Sequence, residues 1–256
     1  MSTPIPATSP VPAAPTGRPV VFVIPHADDE VLWMWLIIAH HVLAGRHVVT
    51  VLASDGASST VHSCLNGTRA NGWWPASWHY PAPGHERYAP LTTAEFVGGR
   101  DAEFVDSCTA LGVRPEDIHL ETGWRQTEVT VDRARELILR WHQTYPDAGI
   151  YTTWWGDTDP THAALGTALR ALALEGVLTD ARWAVRRAQG PTAPGAVEYL
   201  VAADLRAQAL RMARCAVQAY RAWAPEQGRY AIGYHSVPNE FAAVESGGPV
   251  WIVKNP

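Results

Sequence analysis

The apolar run Val20-Val21-Phe22-Val23-Ile24 stops at Pro25-His26-Ala27-Asp28-Asp29-Glu30, and a second apolar stretch follows at once. An unbroken run of β-branched and aromatic residues reads as a strand covered on both faces, as in a parallel sheet flanked by helices. Residues 28–44 read as a helix closed by Gly45, and residues 47–53 (His-Val-Val-Thr-Val-Leu-Ala) as a second strand of the same kind. Strand, helix and strand in that order make a βαβ unit with parallel pairing and a right-handed crossover. The polar turn after the first strand then lies at a strand's carboxyl end, where open α/β sheets bind their ligands.

The rhythm continues along the chain. Residues 100–111 read as a helix ended by Gly112, 118–121 as a short strand and 131–145 as an amphipathic helix. Residues 149–154 form a clear strand that runs into Trp155-Gly156-Asp157-Thr158-Asp159-Pro160-Thr161-His162, then an alanine- and leucine-rich helix to residue 178. Strands are expected at 182–187 and 197–201, a last long helix at 205–223, and an irregular stretch to the end. The alternation predicts one α/β domain over 20–256, a Rossmann-like three-layer sandwich with a mostly parallel sheet. Residues 1–19, rich in Pro, Ala, Ser and Thr, read as a flexible tail and not as a signal peptide. Residues 57–99 hold Trp73, Trp74 and Trp78 among many Gly and Pro without a period, which suggests a long loop serving as a substrate lid.

Composition removes several function classes. The net charge is −5 and the basic residues are scattered, so there is no electrostatic footprint for nucleic acid or an anionic membrane. The longest apolar run, 31–39, is too short to span a bilayer. Cys64, Cys108 and Cys215 match neither a zinc-ribbon nor a redox spacing, which points to free thiols and a cytoplasmic protein. No glycine-rich phosphate fingerprint follows the first strand, and there is no Gly-x-Ser-x-Gly elbow.

Two strand-to-helix turns carry a histidine, His26 and His162. Such turns open on the same side of a parallel sheet, so His26, Asp29 and His162 can meet. Two histidines and a carboxylate leave a coordination position open, the arrangement of catalytic zinc sites. Each turn alone also has a structural explanation. Asp28, Asp29 and Glu30 suit the first turn of a helix, where acids complement the macrodipole. Asp159 before Pro160 suits an N-cap followed by proline at the first helical position. The coincidence of two such turns favours the metal.

Pro25-His26-Ala27-Asp28-Asp29-Glu30 resembles the Pro-His-Pro-Asp-Asp-Glu signature of the PIG-L/LmbE-like family of zinc-dependent N-deacetylases, which act mostly on N-acetylglucosamine-type sugars. Arg100-Asp-Ala-Glu103 with Leu111-Gly112 is similar to that family's Arg-x-x-Glu helix, and His162-Ala-Ala-Leu-Gly166 to its second metal-binding turn. Gln218 and Glu240-Phe241 match weaker C-terminal features, so the resemblance runs over residues 19–241. It implies His26, Asp29 and His162 as zinc ligands and Asp28 as general base, with Glu30 supporting the turn. It also implies an N-acylated amino sugar or glycoconjugate as substrate. Ferrous iron suits this donor set nearly as well as zinc.

The chain departs from the family pattern in two places. Ala27 replaces the proline after the first histidine, and Asp159 stands where many members have a histidine that stabilises the oxyanion. Either the metal takes over that task alone, or another donor such as His235 or an arginine does. Trp73, Trp74, Trp78 and Trp155 are candidates for stacking on a sugar ring, and Asp55 ends the second strand near the expected pocket. Two rival readings remain: the same chemistry on a non-sugar amide, and a sugar-binding relative that has lost catalysis.

Overall fold

A computed structural model describes residues 15–70 and 88–255 of the chain. In chain order the elements are β1 (Val20–Ile24), α1 (Asp29–Leu32), α2 (Trp35–Leu43), β2 (Val48–Leu52), α3 (Val61–Leu65), α4 (Thr93–Ala110) and β3 (Ile118–His119). There follow α5 (Val131–Thr144), β4 (Gly149–Thr153), α6 (Pro160–Leu174), β5 (Ala181–Val185), β6 (Val197–Glu198) and α7 (Ala203–Arg221). The chain closes with β7 (Trp223–Ala224), β8 (Arg229–Tyr230), α8 (Ile232–Ser236), α9 (Pro238–Glu245) and β9 (Trp251–Val253).

Seven strands form one sheet in the order β3-β2-β1-β4-β5-β9-β6. The pairs β1–β2, β1–β4, β2–β3 and β4–β5 are parallel, whereas β9 runs antiparallel to β5 and β6. Every residue of β1, β2 and β4 is buried, which is why these strands are continuous apolar runs in the sequence. Alternate residues of β1 serve opposite faces. Phe22 and Ile24 join a core with α2, α4 and α7, while Val21 and Val23 join a second core with α5 and α6. The fold is therefore the expected three-layer α/β sandwich. The strand order reverses direction between β1 and β4, and the crevice beyond their carboxyl ends is the topological switch point.

Several expected boundaries move. The helix expected over 28–44 is two: α1 is a single turn, Trp33 and Met34 form a turn with φ widened to −119° and −117°, and α2 restarts at Trp35. Within 57–99 the described residues are not all loop, because α3 is helical and α4 begins at Thr93. Thr92 and Glu95 form a reciprocal capping box at that start. The end of the chain is not irregular; α8, α9 and β9 complete the α7 side of the core and the sheet. No helix among the described residues is long and apolar enough to cross a membrane.

Candidate metal centre

The turn after β1 is built around a strained residue. Asp28 has φ 123° and ψ −29°, a conformation that side chains rarely adopt. Its backbone N–H donates to Glu30 Oε2 at 3.1 Å, while Glu30 Oε1 accepts the hydroxyls of Ser107 (2.6 Å) and Tyr220 (2.7 Å). Glu30 is fully buried, so this clamp ties the turn to α4 and α7. Burial pushes its carboxyl up to about 7 despite those two hydroxyls.

The clamped turn presents His26, Asp28 and Asp29 to the crevice. Asp29 Oδ1 accepts the indole N–H of Trp33 at 2.9 Å, and Oδ2 accepts the His26 backbone N–H at 3.0 Å. The second turn, between β4 and α6, brings His162 to the same place. His26 Nδ1 lies 3.1 Å from His162 Nε2 and 3.4 Å from Asp29 Oδ2, and His162 Nε2 lies 3.0 Å from Asp29 Oδ2. Four atoms arranged tetrahedrally about 2.0–2.1 Å from a zinc-sized ion are about 3.3 Å apart, so this triangle has the dimensions of three ligands on one ion.

The far side of His162 supports the same chemistry. Its Nδ1 faces Asp157 Oδ2 at 3.1 Å, and Asp157 Oδ2 is held in turn by Arg186 Nε at 2.8 Å. A carboxylate on one imidazole nitrogen fixes the tautomer and turns the other nitrogen's lone pair toward a metal. Burial opposes charge on Asp157, but its hydrogen bond to His162 and the charges of His162 and Arg186 hold its carboxyl below the usual range. Burial likewise opposes charge on Asp29, yet His162 and His26 beside it hold it well below the usual range. In the metal-free site His162 is driven to about 10: burial lowers it, and the carboxylates of Asp29 and Asp157 more than compensate. Metal binding would replace that proton.

His26, Asp29, His162 and Arg186 line a cavity of about 250 Å³ together with Asp28, Arg100 and Asp159. Burial, with Asp29 beside it, pushes the Asp28 carboxyl up to about 7, against the pull of Arg100, whose guanidinium lies 3.9 Å away. Arg100 also donates to the Ala27 carbonyl at 2.8 Å. Asp159 caps α6, its Oδ1 accepting the N–H groups of Thr161 (2.9 Å) and His162 (3.2 Å). A carboxylate oxygen of Asp159 also comes within 4.8 Å of a ring nitrogen of each of His26 and His162.

Other expected site residues sit elsewhere. Trp155, in the turn after β4, packs edge-on against Trp183 with ring centres 5.0 Å apart, under Arg170, and is not among the cavity-lining residues; it joins the core on the α5 and α6 side of the sheet. Asp55 shapes its own turn by accepting the Ala57 N–H at 2.8 Å, leaving Gly56, Ser58 and Ser59 on the cavity wall. His235 is buried in α8 with Nδ1 against the Ala231 carbonyl, and its neighbours Ser236 and Val237 reach the cavity instead. Trp73, Trp74 and Trp78 lie outside the described residues. Trp33 and Arg186 on the cavity wall, and Asp157 behind His162, were not singled out from the sequence. Trp33 lies within the apolar run 31–39, and Asp157 in the turn that follows the 149–154 strand. Arg186 follows β5 at a parallel strand's carboxyl end, whereas the strand expected over 182–187 placed it inside the strand.

A Rossmann-like sheet with a histidine- and carboxylate-lined crevice at its switch point defines the class. The chain belongs to the PIG-L family, GlcNAc-PI de-N-acetylase, which it matches over residues 21–173. No functionally curated protein matches it by sequence. Among solved structures, the zinc-inhibited form of a teicoplanin deacetylase superposes with TM-score 0.56 at 15% identity, covering 92% of this chain and 97% of that one. The N,N'-diacetylchitobiose deacetylase of Pyrococcus horikoshii gives 0.54 at 16% identity over 93% and 84% of the two chains. The 4-carboxy-2-hydroxymuconate hydratase of Pseudomonas putida gives 0.52 at 13% identity over 93% and 95%. The same fold thus serves a hydratase as well as deacetylases, and the reaction has to be argued from the site.

Proposed function

We propose that this chain is a metal-dependent N-deacetylase acting on an N-acylated, most simply N-acetylated, amino sugar or glycoconjugate. The observation that carries the reading is the triangle of His26 Nδ1, Asp29 Oδ2 and His162 Nε2, with sides of 3.0–3.4 Å, facing Asp28 across one cavity. Membership of a de-N-acetylase family supports it, as do the deacetylases among the structural neighbours. The donor set of two imidazoles and a carboxylate fits zinc, or ferrous iron, and Asp157 orients one of the imidazoles. When bound, such an ion supplies Lewis acidity, making water a better nucleophile near neutral pH and polarising an amide carbonyl.

The chain's own groups do the rest. Asp28 accepts a proton from the attacking water and returns one to the departing amine nitrogen, a double task suited to a carboxyl raised to about 7 by burial. Arg100, anchored on the Ala27 carbonyl, keeps the Asp28 carboxylate oriented toward the cavity. Glu30 holds the Asp28 backbone in its strained conformation, so the carboxylate is placed before substrate arrives.

The test is acetate release from N-acetylglucosamine derivatives by the zinc-loaded protein, with Asp28→Asn as control. Activity that disappears in Asp28→Asn while zinc content is retained is the expected result. A protein that takes up no zinc and stays inactive with zinc added overturns the reading. Release of acyl groups only from non-sugar amides would move the substrate assignment and leave the chemistry in place.

A further inference from the structure

Most acids around the cavity have an arginine or an imidazole at 2.8–3.9 Å. Asp28 has Arg100 at 3.9 Å, Asp157 has Arg186 at 2.8 Å, and Asp29 sits between His26 and His162. Asp159 is different. Among the described residues no lysine or arginine pairs with it, although it lines the same cavity. Its Oδ1 is used to cap α6, and capping occupies only one of the two oxygens of a carboxylate. Yet a carboxylate oxygen of Asp159 lies within 4.8 Å of a ring nitrogen of His26 and of one of His162.

We infer that Asp159 is a second carboxylate ligand of the ion held by His26, Asp29 and His162, so that the centre is a two-histidine, two-carboxylate site. The inference rests on the proposal above that those three residues hold a divalent ion. Atoms bound about 2.1 Å from one ion lie at most about 4.2 Å apart, so the Asp159 oxygen needs only a small side-chain rotation to join the set. The cap bonds to Thr161 and His162 restrict that rotation without forbidding it, and they fix the carboxylate on the cavity side of α6. Charge argues the same way. Two neutral imidazoles and one carboxylate leave a divalent ion with a net +1, and Asp159, which no described lysine or arginine neutralises, brings the site to neutrality. Asp159 thus takes no part as an oxyanion donor; it fills or shares a coordination position. A fourth protein ligand makes the resting centre more closed than three ligands would, and a second carboxylate shifts its preference toward harder ions such as Mn²⁺ relative to zinc.

The test measures metal binding and not turnover. Purified metal-free full-length chain is titrated with Zn²⁺ against a chromophoric chelator, and with Co²⁺ while the visible absorption is followed. The chains compared are wild type, His162→Ala and Asp159→Ser. Serine caps a helix about as well as aspartate but is too short to reach the ion, so the metal-free Tm of Asp159→Ser should match wild type. The expected result is one Zn²⁺ per wild-type chain and a Kd raised at least about tenfold in Asp159→Ser. A changed Co²⁺ band intensity, reporting a changed coordination number, should accompany it. A Zn²⁺ Kd within twofold of wild type, with an unchanged Co²⁺ spectrum, overturns the inference and leaves Asp159 to face substrate. Wild type that binds no Zn²⁺ overturns the three-ligand reading, and this inference with it. Binding lost in His162→Ala but kept in Asp159→Ser removes this inference alone.

Discussion

Glu103 is the place where burial and hydrogen bonding compete most openly in this fold. It projects from α4, is 1% exposed, and accepts the backbone N–H of Ile232 at 2.6 Å and of Gly233 at 3.0 Å. These bonds position α8, whose end supplies Ser236 to the cavity. Two N–H donors favour the ionised carboxylate, but burial disfavours it more, and the Glu103 carboxyl is pushed from an ordinary 4.5 to about 8. A carboxyl raised in the folded state keeps a proton that the unfolded chain has already lost, so stability falls as pH rises between those two values. From about pH 5 to about pH 8 that loss is roughly 3 kcal/mol for a single group shifted this far. Glu103→Gln removes the titration but offers only one acceptor oxygen. One of the two N–H groups then faces an amide, which costs about 2 kcal/mol. Urea unfolding of the metal-free protein should therefore show the variant less stable by about that amount near pH 5, with the gap closing and reversing by about pH 8. A gap that stays constant, or widens with pH, would refute the reasoning, because it would mean that the two N–H bonds and not burial decide the state of Glu103.

Two further outcomes follow from the second turn. Asp157→Ala removes the carboxylate behind His162 and frees its tautomer, so Zn²⁺ affinity measured by chelator competition should fall about 10- to 100-fold. An unchanged affinity would show that the imidazole needs no such support. Gly166 lies where α6 crosses the end of β4, and a Cβ there would come 2.4 Å from the Trp155 backbone nitrogen and 2.6 Å from the Thr153 carbonyl oxygen. Both neighbours are main chain and cannot swing away, so Gly166→Ala should destabilise by about 1–3 kcal/mol and displace His162 on the same helix, lowering Tm and zinc affinity together.

What could be read from the residues, and what could not, divides along physical lines. The parallel strands were legible because both of their faces are covered, which leaves β1, β2 and β4 as unbroken apolar runs bounded by polar turns. The start of α4 was missed although Thr92 and Glu95 carry the capping-box spacing. Gly98 and Gly99 interrupt the helical pattern just after it, and a Cβ on Gly99 would meet Ile232 at 2.8 Å, so packing against α8 and not helix propensity set that residue. The elements α8, α9 and β9, of 5, 8 and 3 residues, are too short to display a period. In the candidate site, His26, Asp29 and His162 could be grouped because parallel strands bring their carboxyl ends together. Asp157 and Arg186 could not, since an aspartate in a turn is ordinary turn chemistry and the arginine joins only through the fold.

The conformation of Asp28 carries a consequence beyond this one molecule. A residue with a side chain at φ 123° holds roughly 1–3 kcal/mol of strain that glycine would not. Under the function proposed above, the substitution that most relaxes the backbone, Asp28→Gly, is also one that deletes the proton carrier. Mutational drift at this codon therefore runs downhill in folding free energy toward inactive descendants. Copies of this gene still selected for folding but no longer for activity should lose the acid early, so that a sturdy protein with glycine in the turn is the expected fossil of the activity.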